Sequence, residues 1–344
     1  MKTKILIILV GLIIILIIGF LIFYFLKKGS PESSELNIIE KTDLSLNIKI
    51  DQDDISDYLD FIKKNQQYAK PTTWAEFLNE MEETGTYLGL YPPGKTTGDL
   101  EKRIIDELNI EFLLTGINQR QLAVTITKIQ EQEKYIEKDL LFTDPEVGSF
   151  SVLLLIPKQK EMSCPAIIGL HGHGGDNISF KNNYFGKDLA EAGFIVILPS
   201  FRAMDCLEAP EETITQELIL NGFTLMGLRI YETFLLIKYL KYVDFVDNDK
   251  IGIMGHSGGS DVAYLTSIIN QDLRALVFDF YPKPDSLCEG RVHCETIPGL
   301  AYYKEQINDP STLKIPSQKF EYDYPEENDK EEVINFFKEK LSEE

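Results

Sequence analysis

Five short apolar runs dominate the second half of the sequence: Ser151–Ile156, Ala166–Leu170, Phe194–Leu198, Lys250–Met254 and Ala275–Phe280. Each is too short for a buried helix, and stretches with helical spacing separate most of them. Strands apolar on both faces, alternating with helices, make a mostly parallel sheet covered on each side. The fold class is therefore α/β. Before these runs, Leu122–Ile129 and Tyr135–Phe142 alternate apolar with polar residues, as strands of an antiparallel edge do. Earlier still, Ile55–Ile62, Trp74–Met81 and Leu100–Leu108 carry helical spacing, interrupted by the breaker Tyr91-Pro92-Pro93-Gly94. There is no internal repeat and no low-complexity tract.

The sharpest chemical signal is Gly255-His256-Ser257-Gly258-Gly259, between the strand Lys250–Met254 and a helical stretch over Asp261–Ile269. Gly-x-Ser-x-Gly at a strand-to-helix turn is a nucleophile elbow. The tight turn leaves no room for Cβ atoms beside the serine. It lifts Ser257 above the sheet and makes the N–H of Gly258 an oxyanion donor. A second turn, His171-Gly172-His173-Gly174-Gly175, follows the strand Ala166–Leu170 and brings further backbone N–H groups, from Gly172 and His173, to an acyl oxygen. Two histidines at i, i+2 also suit a metal. No further ligand cluster is evident in the neighbouring sequence, so no metal site is expected. A phosphate-cradling loop is excluded by the missing Gly-Lys-Ser/Thr ending.

Taken together, residues 135–305 resemble the α/β-hydrolase superfamily, in its acetyl xylan esterase-like and dienelactone hydrolase-like branch. The matching segments are Pro165–Gly175, Leu189–Leu198, Asp249–Gly259 and Cys294-Glu-Thr-Ile-Pro-Gly-Leu300, the last being the most specific to the branch. The resemblance implies an α/β-hydrolase fold, a Ser-Asp-His triad and no cofactor. It implies a small-molecule ester as substrate.

The expected chain order is nucleophile, acid, histidine. Lys319–Tyr324 reads as the last strand and Glu331–Leu341 as the last helix, and the intervening Pro325–Lys330 contains no histidine. The C-terminal part is thus shortened by about one strand–helix unit. Four histidines exist in the whole sequence. His256 is expected to point away from its neighbour Ser257. His293, the only one after Ser257, is the candidate base, with Asp285 or Glu289 to orient it; Asp285 lies just past the strand Ala275–Phe280, where some hydrolases of this fold place their acid. Asp279, inside that strand, is expected to be structural. Two functions stay open: a serine ester hydrolase with a displaced base, and a pseudo-hydrolase that keeps the fold for binding or scaffolding.

Ile5–Leu26 is an unbroken apolar run flanked by Lys2, Lys4, Lys27 and Lys28. At about 1.5 Å per residue it reaches across a hydrocarbon core of about 30 Å. With no small-residue cleavage step before the lysines, it reads as an uncleaved single-pass anchor rather than a signal peptide. The charge bias puts the body outside the cytoplasm. The organisation expected is an anchor over 1–28, a tether over 29–50, a helical preamble over 51–120 and the hydrolase domain over 121–344. With 34 basic and 55 acidic residues the net charge is −21, which opposes nucleic acid as a partner. Of the four cysteines, Cys288 and Cys294 are close enough in sequence to bridge a loop; four free thiols are the alternative.

Overall fold

The computed structural model describes residues 36–46, 50–85, 94, 99–158, 163–284, 286–320 and 327–342. The anchor expected over 1–28 lies outside the described residues. Among those described, no helix is long and apolar enough to cross a membrane.

Nine strands form one sheet among the described residues: β1 Ile38–Thr42, β2 Leu122–Glu131, β3 Tyr135–Asp144, β4 Gly148–Pro157, β5 Cys164–Leu170, β6 Ile195–Ser200, β7 Val246–Gly255, β8 Leu273–Phe278 and β9 Ser317–Lys319. Their order is β1-β2-β3-β4-β6-β5-β7-β8-β9. From β6 to β9 every pairing is parallel, while β2, β3, β4 and β6 pair antiparallel in turn. This is an α/β-hydrolase-like sheet, mostly parallel.

Side chains on each central strand alternate between two cores, as the pleat requires. Leu154 and Ile168 face a layer built by the helix Leu225–Tyr242 and by helices of the preamble, through Tyr58, Phe61, Leu108 and Leu113. Leu153, Leu155 and Ile167 face the other way, against Phe180, Leu189 and Phe337. The helices Ser56–Lys64 and Leu100–Leu108 therefore share the core of the sheet, while Trp74–Glu83 packs through Phe77 and Met81 against Ile219 and Val292.

Two expectations change. Residues 38–42, read as tether, pair parallel with β2 and take the edge position expected of it. This strand carries no clean apolar alternation, because four of its five residues are exposed. At the other edge β9 has only three residues, ending at Lys319, where the last strand was expected to begin.

A buried ionic group ties the preamble to the sheet. Arg202, in the loop after β6, donates to Asp57 (2.8 Å), Glu232 (2.8 Å) and the carbonyl of Val147 (2.6 Å). Its guanidinium lies 4.2 Å from the centre of the Tyr58 ring, whose hydroxyl donates to Glu232 at 2.9 Å.

Candidate active site

β7 ends at Gly255 and the next helix begins at Gly258, so the turn between them is two residues long. Ser257 takes φ 50° and ψ −125°, a left-handed conformation that costs a non-glycine residue about 1–3 kcal/mol. Such strain persists only where the surroundings enforce it. Here they do: a methyl group built on Gly172 would lie 2.7 Å from Ser257 Cβ and 3.2 Å from His256 Cδ2. The His171–Gly175 loop thus packs directly on the turn at Ser257, which no side chain at position 172 would allow. Gly258 is equally confined, since a Cβ there would sit 2.6 Å from the His173 ring.

The two loops leave donors available. Gly258 is the first residue of its helix, where N–H groups have no intrahelical partner. The backbone N–H groups of Gly172, His173 and Gly258 make no hydrogen bond among the described residues.

Under the elbow lies Asp279. Because β7 and β8 are adjacent and parallel, the residue just past the end of β8 arrives beside the end of β7. Its carboxylate accepts from Nδ1 of His256, from the N–H of Ser257 (2.9 Å) and from the Ser260 hydroxyl. Asp279 itself is buried. Asp279, expected to be structural, thus also holds the His256 ring. With its Nδ1 proton directed at Asp279, the imidazole keeps the Nε2 lone pair available. Tyr184 stacks on the ring at 3.9 Å between centroids.

His171 is spent on structure. Its Nδ1 donates to the carbonyl of Gly172 (2.9 Å) and its Nε2 accepts from the N–H of Phe201 (2.9 Å). Both bonds need the neutral ring, and burial holds the pKa down at about 4. His173 bonds Glu211 through Nε2 at 3.2 Å. Burial pushes the Glu211 carboxyl up, yet Arg229 and the bond from His173 outweigh it and hold the pKa at about 2.

His293 does not reach the nucleophile by hydrogen bond. Its Nε2 lies 3.0 Å from the Ser286 hydroxyl, and its ring meets the His173 ring edge-on at 5.4 Å. Asp285, the acid expected to orient it, lies outside the described residues. Nor does Cys288 bridge to Cys294. It forms a disulfide with Cys206, 82 residues away, while Cys164 and Cys294 are buried free thiols. A cavity of about 690 Å³ is lined by Asp51, Asp53, Asp139 and Asp176, and not by Ser257, His256 or Asp279.

The sheet order and the strained turn at Ser257 define an α/β-hydrolase-like fold. Residues 150–306, a little under half of the chain, match the dienelactone hydrolase family. YtaP of Bacillus subtilis (strain 168), which carries a hydrolase name, is 24% identical over 172 residues. That match covers 46% of this chain and 58% of YtaP, so the chain spans under two thirds of that relative. Acetyl xylan esterase 1 from Thermoanaerobacterium sp. JW/SL YS485 superposes with a TM-score of 0.51 at 14% identity, over 78% of this chain and 99% of its own. An acetyl xylan esterase from Paenibacillus sp. R4 does so with 0.53 at 12%, over 77% and 99%. At these identities the two structures establish the fold.

Proposed function

We propose that the protein is a serine ester hydrolase in which Ser257 is the nucleophile and His256, held by Asp279, the base. The observation that carries this reading is the His256–Asp279 pair built into the elbow itself. Ser257 Oγ attacks the ester carbonyl while its proton passes to His256 Nε2. The oxyanion is received by backbone N–H groups of Gly258 and of Gly172 or His173. Collapse expels the alcohol, which takes the proton from His256. Water, deprotonated by the same nitrogen, then releases the acid and restores Ser257. Serine ester hydrolysis of this kind requires no cofactor.

The direct test is labelling with a fluorophosphonate. An activated Ser257 becomes phosphonylated, and Ser257→Ala abolishes the label while leaving the fold intact. Absence of label on the wild-type protein supports the second reading, a pseudo-hydrolase. That reading is favoured by one observation: the Ser257 hydroxyl makes no hydrogen bond to any histidine among the described residues.

The same proposal includes a single-pass anchor over Ile5–Leu26, with the catalytic domain extracytoplasmic. The Cys206–Cys288 disulfide supports an oxidising compartment. Full-length protein is expected to stay with membranes through a carbonate wash and to lose its domain when intact cells are treated with protease. A mature chain starting after Lys28 would point instead to a cleaved signal.

A further inference from the structure

The structure brings together four side chains that the sequence spacing did not reveal as a group. His173, from the oxyanion loop, meets the consecutive His293, Cys294 and Glu295. One ligand atom from each lies within 4.8 Å of all the others. His173 Nε2 is 3.5 Å from Cys294 Sγ, and its Nδ1 is 3.8 Å from Glu295 Oε1. Of the two histidines at i, i+2, only His173 belongs to this group.

We propose that these four residues form a zinc site. Two imidazoles, a thiolate and a carboxylate are a donor set for a tetrahedral Zn²⁺, with bonds of about 2.0–2.3 Å that a small inward movement of the four groups supplies. A second, independent observation points to a ligand. His293 is 4% exposed, and its Nδ1 is buried without a hydrogen-bond partner. An orphaned ring nitrogen in such a place is costly unless something fills it.

The surroundings fit the outer shell of a metal. Ligating histidines characteristically donate their other N–H to a carboxylate, carbonyl or water. His173 has Glu211 on Nε2 at 3.2 Å, which leaves Nδ1 for the ion. His293 has the Ser286 hydroxyl on Nε2 at 3.0 Å, and that hydroxyl donates on to Glu295 Oε2 at 3.1 Å. Buried carboxylates also crowd the cluster. Glu211 and Asp261 are both buried, and the Arg229 guanidinium lies 3.5 Å from Glu211. A divalent ion bound there would clasp the His171–Gly175 loop to the 286–297 loop and fix the His173 ring against Gly258.

The test uses the full-length protein in detergent, freed of metal by a chelator and titrated with Zn²⁺ and then with Co²⁺. One Zn²⁺ should bind per chain. Co²⁺ should produce a thiolate-to-metal charge-transfer band and the visible bands of a tetrahedral ion. Cys294→Ser should abolish the charge-transfer band and, like His293→Ala, weaken Zn²⁺ binding at least about 100-fold. Glu211→Gln should weaken it about 10- to 100-fold. If a ligand variant fails to fold, the wild-type cobalt spectrum still decides, because only a thiolate gives that band. No stoichiometric Zn²⁺, a cobalt spectrum without thiolate character, or unchanged affinity in folded Cys294→Ser overturns the site. Ser257→Ala should bind Zn²⁺ as the wild type does, so the metal site and the esterase reading stand or fall separately.

Discussion

Replacing His256 by alanine should lower kcat for p-nitrophenyl acetate by about 10⁴- to 10⁶-fold, nearly as much as Ser257→Ala. The double variant should lose little more, because members of a catalytic unit are strongly non-additive. The ground is geometric. Asp279 accepts from His256 Nδ1 and so selects the tautomer whose Nε2 can take a proton. Asp279→Asn should therefore cost about 10⁴-fold. Asp279 also accepts from the N–H of Ser257, so a loss there has to be separated from a loosened elbow. Rescue provides that separation. Imidazole added to His256→Ala should restore part of the rate, whereas a collapsed turn would not respond. Activity that survives His256→Ala but not Ser257→Ala would move the base to another group, with His173 and its partner Glu211 next in line.

The largest stability effect should come from Arg202. Arg202→Met is expected to cost about 3–5 kcal/mol, read as a shift of the urea midpoint at unchanged slope. The side chain of Glu232 is fully buried, with Arg202 2.8 Å away as its cation partner. Removing the guanidinium leaves a charge in the core whose remaining hydrogen bond is the one from the Tyr58 hydroxyl. The double change Arg202→Met, Glu232→Leu should recover most of the loss, since apolar groups of similar volume replace a buried pair at little cost. A single-variant cost below about 1 kcal/mol would show that water reaches Glu232.

What the sequence disclosed follows from distance along the chain. The elbow at Gly255–Gly259 and the loop at His171–Gly175 are local motifs, each written in five consecutive residues next to an apolar strand, and both were legible. The central strands were legible because burial on both faces leaves no polar residue to interrupt them. The partners of the site were not. Asp279 reaches His256 only because β8 lies beside β7, and a separation of 23 residues carries no periodic signal. The Cys206–Cys288 bridge and the approach of His173 to His293 depend in the same way on which loops the sheet order gathers. One local signal was available: Asp279 ends an apolar run directly, where a buried carboxylate demands donors. β1 was hidden for the opposite reason, since an edge strand exposed to water shows no apolar face.

Those two outer strands carry a consequence for copies of the chain at high concentration. An open sheet edge is a template for another chain, and crowding raises the chance of such pairing. Here one margin offers Glu40 and Lys41 on an exposed strand, and the other offers three residues ending in Lys319. Among the described residues, charge at one end and brevity at the other deny a neighbour any long run of unpaired amides. Polymerisation through the sheet is thereby disfavoured, and copies can be packed densely without joining strand to strand.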